Sequence, residues 1–360
     1  MTTHQDDQTP FEIGIYTLGD IVTDPLTGET ISAGERTHEI IEAAKLADQA
    51  GLDVFGIGEH HRLDYAISSP QMVLSAIAQV TKNIKLTSAT TVLNTVDPVR
   101  LFEEFATLDL ISNGRAEITA GRGAFVESFP LFGYHFDDYD ALFEEHLQLL
   151  MKLNESERVT WSGKYRSSLN NSEIAPRPAQ DKLPIWTGVG GTISSAARAG
   201  KYGTGLTIAM IGGEHERFLP LIDAYQRAGR LAGNAEGDLK VGVTGHGFIA
   251  DSMEEAKDAF YPYYAQYMQY MSKQRGQRGE VSRVAFDYMT RAENVMFIGS
   301  PQEVTEKILY QHEMFGHKRF MLQMDIGGMP FSHIANTIEL LATKVAPVVR
   351  REVAKQVRNV

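Results

Sequence analysis

Short apolar runs alternate with longer amphipathic ones along almost the whole chain. Phe11–Thr17 is apolar, rich in β-favouring residues, and reads as a strand. Ser32-Ala33-Gly34-Glu35 is a capping box that opens a helix. Ile40, Ala44 and Ala47 then recur at helical spacing, with Ile41 widening the stripe, until Gly51. Asp53–Gly58 predicts a second strand, Gln71–Val80 a helix and Ile84–Thr90 a third strand. Asp97-Pro98 starts the next helix, Asp97 as cap and Pro98 where a backbone N–H is not needed. Asn113-Gly114 then turns the chain into Ala116–Ala120. Tyr139–Leu153 is helical and Arg158–Ser168 reads as a small hairpin. Strands follow at Leu183–Thr187, Gly203–Ala209 and Lys240–Ala250, with helices near Ser194–Gly200 and at Glu214–Leu231 between them. Asp251-Ser252-Met253-Glu254 and Ser300-Pro301-Gln302-Glu303 open two more helices, before a strand at Phe320–Met324 and a helix at Phe331–Val349.

Strands alternating with helices imply a parallel sheet with right-handed crossovers. About eight such units in ~340 residues fit a TIM (β/α)8 barrel, an α/β fold, better than a doubly wound sheet. The expected organisation is a polar tail at 1–10, one barrel domain at 11–350 and a tail at 351–360. Residues 272–295 break the rhythm with a polar, basic, glycine-containing stretch. It follows a helix crowded with Phe260, Tyr261, Tyr263, Tyr264, Tyr267, Met268, Tyr270 and Met271. It reads either as a surface loop behind an aromatic core face or as an insertion that lids a pocket.

Composition narrows the chemistry. The net charge of −12 argues against binding nucleic acid through phosphate contacts. The absence of cysteine removes disulfides, thiolate zinc sites, iron–sulfur clusters and a cysteine nucleophile. No apolar stretch reaches the ~18 residues of a membrane span. The polar, acidic start Met1–Asp7 has no signal-peptide h-region, so the expected class is a soluble cytoplasmic enzyme.

In a barrel the strand C-termini surround the active site. The second strand ends in Glu59-His60-His61. One imidazole there, His60 in the first instance, could move a proton near neutral pH, with Glu59 and His61 as neighbours. No metal is expected, because three consecutive ligand types rarely converge on one ion and no His-x-His or His-Glu-x-x-His spacing occurs. The fourth strand ends in Gly121-Arg122-Gly123-Ala124, where glycines allow close approach and Arg122 can clamp an anion. The fifth ends in Gly188-Val189-Gly190-Gly191-Thr192 and runs into a helix whose free N–H groups favour an anion, with Ser194 and Ser195 adding hydroxyls. It is not a dinucleotide fingerprint, since Ile193 stands where the third glycine would be. Together the two ends suggest a phosphate site. The third strand's small residues, Ser88-Ala89-Thr90, could admit a flat ring, and the eighth ends in Gln323-Met324-Asp325 before two glycines.

These strand ends resemble the bacterial luciferase-like flavin-dependent monooxygenases. The likeness lies in Gly51–His61, in Asn94–Glu104 leading through Leu108–Arg115 to Gly121-Arg122-Gly123, in Pro176–Gly203 with Pro184-Ile185-Trp186, and in Gly299-Ser300-Pro301 with Gly327-Gly328. The resemblance implies a TIM-type barrel using reduced FMN, supplied by a separate flavin reductase, and molecular oxygen. It implies that Arg122, the Ala124 backbone, Gly190, Gly191 and Thr192 hold the phosphate, and that a cis peptide falls near Ala89-Thr90 beneath the flavin ring. It matches His60 to a histidine of oxidation chemistry. By their place at the strand ends, Glu59, His61 and Met324 are expected to touch the substrate or to stand directly behind the residues that do. It implies a homodimer formed through the helices at Gln71–Val80 and Val99–Ile111. Gly121 stands where true luciferases carry a reactive cysteine, which points away from light emission. The expected substrate is a small, apolar, carbonyl-type molecule. A related branch uses a deazaflavin coenzyme for hydride transfer, and a non-catalytic flavin-binding protein is a third possibility. Nothing in the sequence separates them.

Overall fold

The computed structural model describes residues 10–123, 125–274 and 279–358. Eight parallel strands close on themselves. They are β1 (Glu12–Thr17), β2 (Val54–Ile57), β3 (Lys85–Ser88), β4 (Ala116–Gly121), β5 (Ile185–Val189), β6 (Gly205–Met210), β7 (Val241–Ile249) and β8 (Arg319–Gln323). Each pairs with the next in parallel register, and β8 pairs back to β1 with Met321 opposite Gly14. This closed eight-strand sheet inside a ring of helices is the TIM barrel that the alternation predicts.

The surrounding helices include α1 (Ala33–Ala50), α2 (Pro70–Val80), α3 (Pro98–Ser112), α4 (Tyr139–Glu155), α5 (Ile193–Tyr202), α6 (Leu219–Leu231), α7 (Met253–Gln274) and α8 (Pro301–Phe315). Their starts follow the local chemistry. Ser32 with Glu35 and Ser300 with Glu303 form reciprocal capping boxes, and Asp97 accepts from the N–H of Val99 and Arg100. Two faces suggested for dimer contact are used within the chain instead. Leu74 and Ile77 of α2, and Leu101, Phe105 and Leu108 of α3, are fully buried in the one hydrophobic core. Apolar stripes at helical spacing here face the barrel.

Several local features depart from the sequence reading. The hairpin pairs Arg158–Trp161 with Leu169–Glu173. Residues 272–295 are not one loop: Ser282 caps a short helix at Arg283–Met289, while 275–278 lie outside the described residues. A further parallel strand, Phe297–Gly299, pairs with the end of β7. The C-terminal tail expected from residue 351 is helical to Arg358, because Val349 and Val353 continue one buried stripe. The expected N-terminal tail is described only at Pro10.

The N-terminal end of the barrel is closed by charge. Arg319 is 4% exposed and donates to Glu117 at 2.6 and 3.1 Å and to Glu12 at 2.7 Å, with its guanidinium 4.2 Å from the Trp186 ring. The opposite end stays open. Tyr16, Leu18, Ala89, Thr90, Thr207 and Ala209 keep partial exposure at the C-terminal ends of strands whose other residues are mostly buried.

Candidate functional site

Four glycines shape the floor of this open end. A Cβ on Gly56 would stand 2.9 Å from the Ala89 Cβ, and one on Gly58 3.1 Å from the Ala89 carbonyl oxygen. A Cβ on Gly188 would stand 2.7 Å from Thr90 Cγ2, and one on Gly121 would overlap Thr90 Oγ1. Ala89 and Thr90 therefore fill the space that side chains on β2, β4 and β5 would take. The peptide between them is cis.

Beside this floor the ends of β4 and β5 form a cationic corner. Arg122 lies against Tyr139, its guanidinium 4.7 Å from the ring, and the Tyr139 hydroxyl donates to the Gly123 carbonyl. Gly190 and Gly191 have no atom within 4 Å of the position a Cβ would occupy, so the loop is open to a ligand. Thr192 begins α5 without a side-chain cap, leaving N–H groups of the first turn for another acceptor. Ser195, 3% exposed, has an unpartnered Oγ in that turn. Arg198 donates through Nε to Glu144 at 2.9 Å, while its buried Nη1 has no partner. These donors suit a phosphate: two guanidiniums, a hydroxyl and a helix N-terminus come together with more donors than the protein satisfies. Ala124 lies outside the described residues. Arg198 escaped the sequence reading, although its i,i+3 spacing from Ser195 puts it on the same face of α5.

His60 stands at the end of β2, stacked on Tyr65 with ring centres 4.0 Å apart and edge-on to Phe125 at 5.3 Å. Its Nδ1 lies 3.8 Å from Glu127 Oε1. Burial acts to raise the Glu127 carboxyl, but its interaction with the neighbouring His60 holds it below the ordinary value. Glu127 sits on an irregular segment, and no motif marked it. His61 turns the other way. Its Nε2 lies 2.8 Å from Glu59 Oε1, and Glu59 also accepts from the Val92 N–H. Both line a groove between α2 and α3 of about 620 Å³, together with Met72, Arg100 and Phe132. The extended alternation after β2 thus separates the adjacent histidines. Met324, 2% exposed, packs behind the wall near Ile40, Phe331 and Ile334.

A second polar cluster spans β1 and β8. Arg36 reaches Asp325 at 3.0 Å and Asp20 at 3.5 Å; Thr17 donates to Asp325, and the Gly327 N–H donates to Asp20. Burial drives the Asp325 carboxyl up to about 7, with Asp20 adding to the rise and Arg36 opposing it. On β7, burial drives the His246 imidazole down to about 4, against a hydrogen bond that the imidazole donates to Gln323. Neither cluster carried a sequence signal, since each assembles residues far apart in the chain.

The chain thus forms an open-mouthed (β/α)8 barrel with a histidine at the β2 end and a cationic corner between β4 and β5. Residues 11–318 match the family model for luciferase-like monooxygenases, and the chain belongs to that family. It is similar to the oxygenase component of the flavin-dependent trigonelline monooxygenase of Acinetobacter baylyi, 25% identical over 330 residues, 86% of this chain and 89% of the relative. It is also similar to an F420-dependent glucose-6-phosphate dehydrogenase of Amycolatopsis mediterranei, 28% identical over 177 residues, 47% of this chain and 52% of that one. Among solved structures, it shares its fold with the oxygenating constituent of 3,6-diketocamphane monooxygenase from Pseudomonas putida, in complex with FMN. That likeness has a TM-score of 0.76 at 22% identity, covering 94% of this chain and 98% of the other. Its relatives are flavin-dependent monooxygenases and F420-dependent enzymes. No helix among the described residues is long and apolar enough to cross a membrane.

Proposed function

We propose that this chain is the oxygenase component of a two-component monooxygenase, binding reduced FMN delivered by a separate reductase. The observation that carries this reading is the corner at Gly190–Arg198, where an open glycine turn meets the buried, unpartnered Ser195 Oγ and Arg198 Nη1. Arg122, Gly190, Gly191, Thr192, Ser195 and Arg198 would hold the phosphate, and Ala89 and Thr90 would meet the ring system on the barrel floor. The Ala124 backbone, which the resemblance adds, lies outside the described residues. When bound, reduced flavin supplies the electrons that activate molecular oxygen.

The chain's own part is to position, to exclude water and to manage a proton. Glu127 engages the Nδ1 edge of His60, which leaves Nε2 as the atom to hold or release a proton at the mouth. Tyr65 and Phe125 fix the imidazole plane and make that side of the cavity apolar. Tyr263, Tyr264 and Tyr267 of α7 are buried in the core. The apolar side at Tyr65 and Phe125 favours a small apolar substrate of carbonyl type; the lid expected over 272–295 includes residues 275–278, which lie outside the described residues. Glu59 and His61 act from the outer groove rather than on substrate. A homodimer would use the exposed remainder of α2 and α3, where Met72 is 73% and Leu110 47% exposed. A cytoplasmic location fits a reductase-fed oxygenase.

Titration of the protein with FMN, reduced FMN and the deazaflavin coenzyme tests this reading. Tight FMN binding that Arg122→Ala weakens about tenfold or more, followed by oxygen-dependent turnover, supports it. Preference for the deazaflavin with oxygen-independent hydride transfer assigns the chain to the dehydrogenase branch.

A further inference from the structure

Asp140 lies in the first turn of α4 with its side chain 68% exposed, yet a single oxygen, Oδ1, takes both arginines of the phosphate corner. Arg122 Nη1 donates to it at 2.6 Å and Arg198 Nη2 at 3.4 Å. The arginines are only 17% and 11% exposed, so the carboxylate reaches inward from water to a largely buried cationic pair. It does not exhaust that pair: Arg198 Nη1 and the neighbouring Ser195 Oγ stay unpartnered. Arg198 does not depend on Asp140 for its placement, because Glu144 holds Nε at 2.9 Å. Arg122 is placed independently against the Tyr139 ring.

We propose that Asp140 is an internal anion that competes with the phosphate of the incoming flavin for Arg122 and Arg198, and so sets how loosely the cofactor is held. The inference rests on the phosphate assignment made above. A dianionic phosphate offers more acceptor sites than one carboxylate oxygen and can use the donors that Asp140 leaves idle. On its arrival Asp140 must yield the guanidiniums and then stands beside like charge, at a cost to affinity. A cofactor delivered by one protein and used by another has to exchange, and a built-in competitor favours exchange without dismantling the donor set.

The opposite role is a clamp, in which Asp140 orders the arginines and its loss weakens binding. Calorimetric titration of the intact protein and Asp140→Asn with FMN and with riboflavin, which lacks the phosphate, separates the two. The competitor role predicts FMN binding roughly three- to tenfold tighter in Asp140→Asn, riboflavin binding unchanged, and an FMN gain that shrinks as salt rises. Unchanged or weaker FMN binding, or an equal gain for riboflavin, overturns it. Arg122→Ala in the same series keeps the two readings apart. If Arg122→Ala loses FMN while Asp140→Asn gains nothing, the phosphate assignment stands and the competition falls. If Arg122→Ala leaves FMN binding intact, the phosphate assignment falls and the competition with it.

Discussion

Thr90 occupies the volume that any side chain on Gly121 would need. A Cβ at 121 would overlap Thr90 Oγ1 and lie 2.9 Å from its Cβ, so the two positions are coupled across β3 and β4. Gly121→Ala forces Thr90 out of place and is expected to cost about 1–3 kcal/mol by urea denaturation, with weaker FMN binding. Thr90→Ala in the same chain removes the worst contact and leaves the Cβ one, so it recovers only part of the loss; a double-mutant cycle measures the coupling. The cysteine that the luciferase resemblance sets at this position is larger still, and with Thr90 in place it does not fit.

The N-terminal end of the barrel makes a different demand. Arg319 and Glu117 are each 4% exposed along their side chains and bonded at 2.6 Å, deep in the N-terminal end of the barrel. Arg319→Met leaves Glu117 with Lys85, at 3.5 Å, as its one cationic partner among the described residues, and is expected to destabilise the fold by about 3–5 kcal/mol. Adding Glu117→Gln removes the stranded charge and regains part of this. FMN affinity stays unchanged in both variants, since this N-terminal end lies at the far end of the strands from the proposed site. Denaturation curves and flavin titrations on the same samples check both halves.

Whatever is written in consecutive residues was legible. The capping boxes at Ser32–Glu35 and Ser300–Glu303, the Asp97-Pro98 start and the glycine ends of β4 and β5 each act locally, and each appears where its spacing puts it. The eight barrel strands follow from apolar runs between such signals. What the chain did not reveal depends on contacts across the fold. Asp140 and Arg198 are 58 residues apart and meet only when α4 lies beside α5. Asp20, Arg36 and Asp325 come from three elements, with Arg36 and Asp325 289 residues apart. The opposite facing of His60 and His61 follows from extended alternation, but which of the two turns toward the barrel mouth does not. Helix Arg283–Met289 was missed because its seven residues sit in a polar stretch, with only the Ser282 cap as signal.

Asp325 gives a pH prediction of definite sign. Its carboxyl titrates at about 7 in the folded chain against 3.8 for the free group, because burial beside Asp20 outweighs the attraction of Arg36. Between those values the folded state keeps a proton that the unfolded state has released. This contribution to stability therefore falls as pH rises from about 4 to about 7, and levels off above. His246, driven down to about 4, works the other way and weakens the fold as pH drops below 6.5. The whole-protein curve mixes the two, so the difference between wild type and Asp325→Asn is the informative quantity. Urea midpoints are expected to shift in favour of Asp325→Asn progressively from about pH 4.5 to 7.5 and then hold steady. A difference that stays constant over that range means that Asp325 is ionised throughout.

His60 and His61 are neighbours in sequence with different surroundings, and this allows a test in which each is the other's control. His60 lies at the barrel mouth between Tyr65 and Phe125, with Nδ1 toward Glu127. His61 is bonded to Glu59 in the groove outside the barrel. If His60 holds or moves a proton during turnover, His60→Asn lowers the oxygenation rate with reduced FMN about 100-fold or more, while FMN affinity changes little. Glu127→Gln keeps the imidazole but removes the charge beside Nδ1, and is expected to lower turnover about tenfold. His61→Ala leaves turnover within a few fold. It loosens Glu59 and its hold on the Val92 N–H, so its effect shows in thermal stability instead. Rapid-mixing turnover and flavin titration on the three variants distinguish these outcomes. Equal loss of turnover in His60→Asn and His61→Ala would mean that the outer groove, rather than the barrel mouth, carries the chemistry.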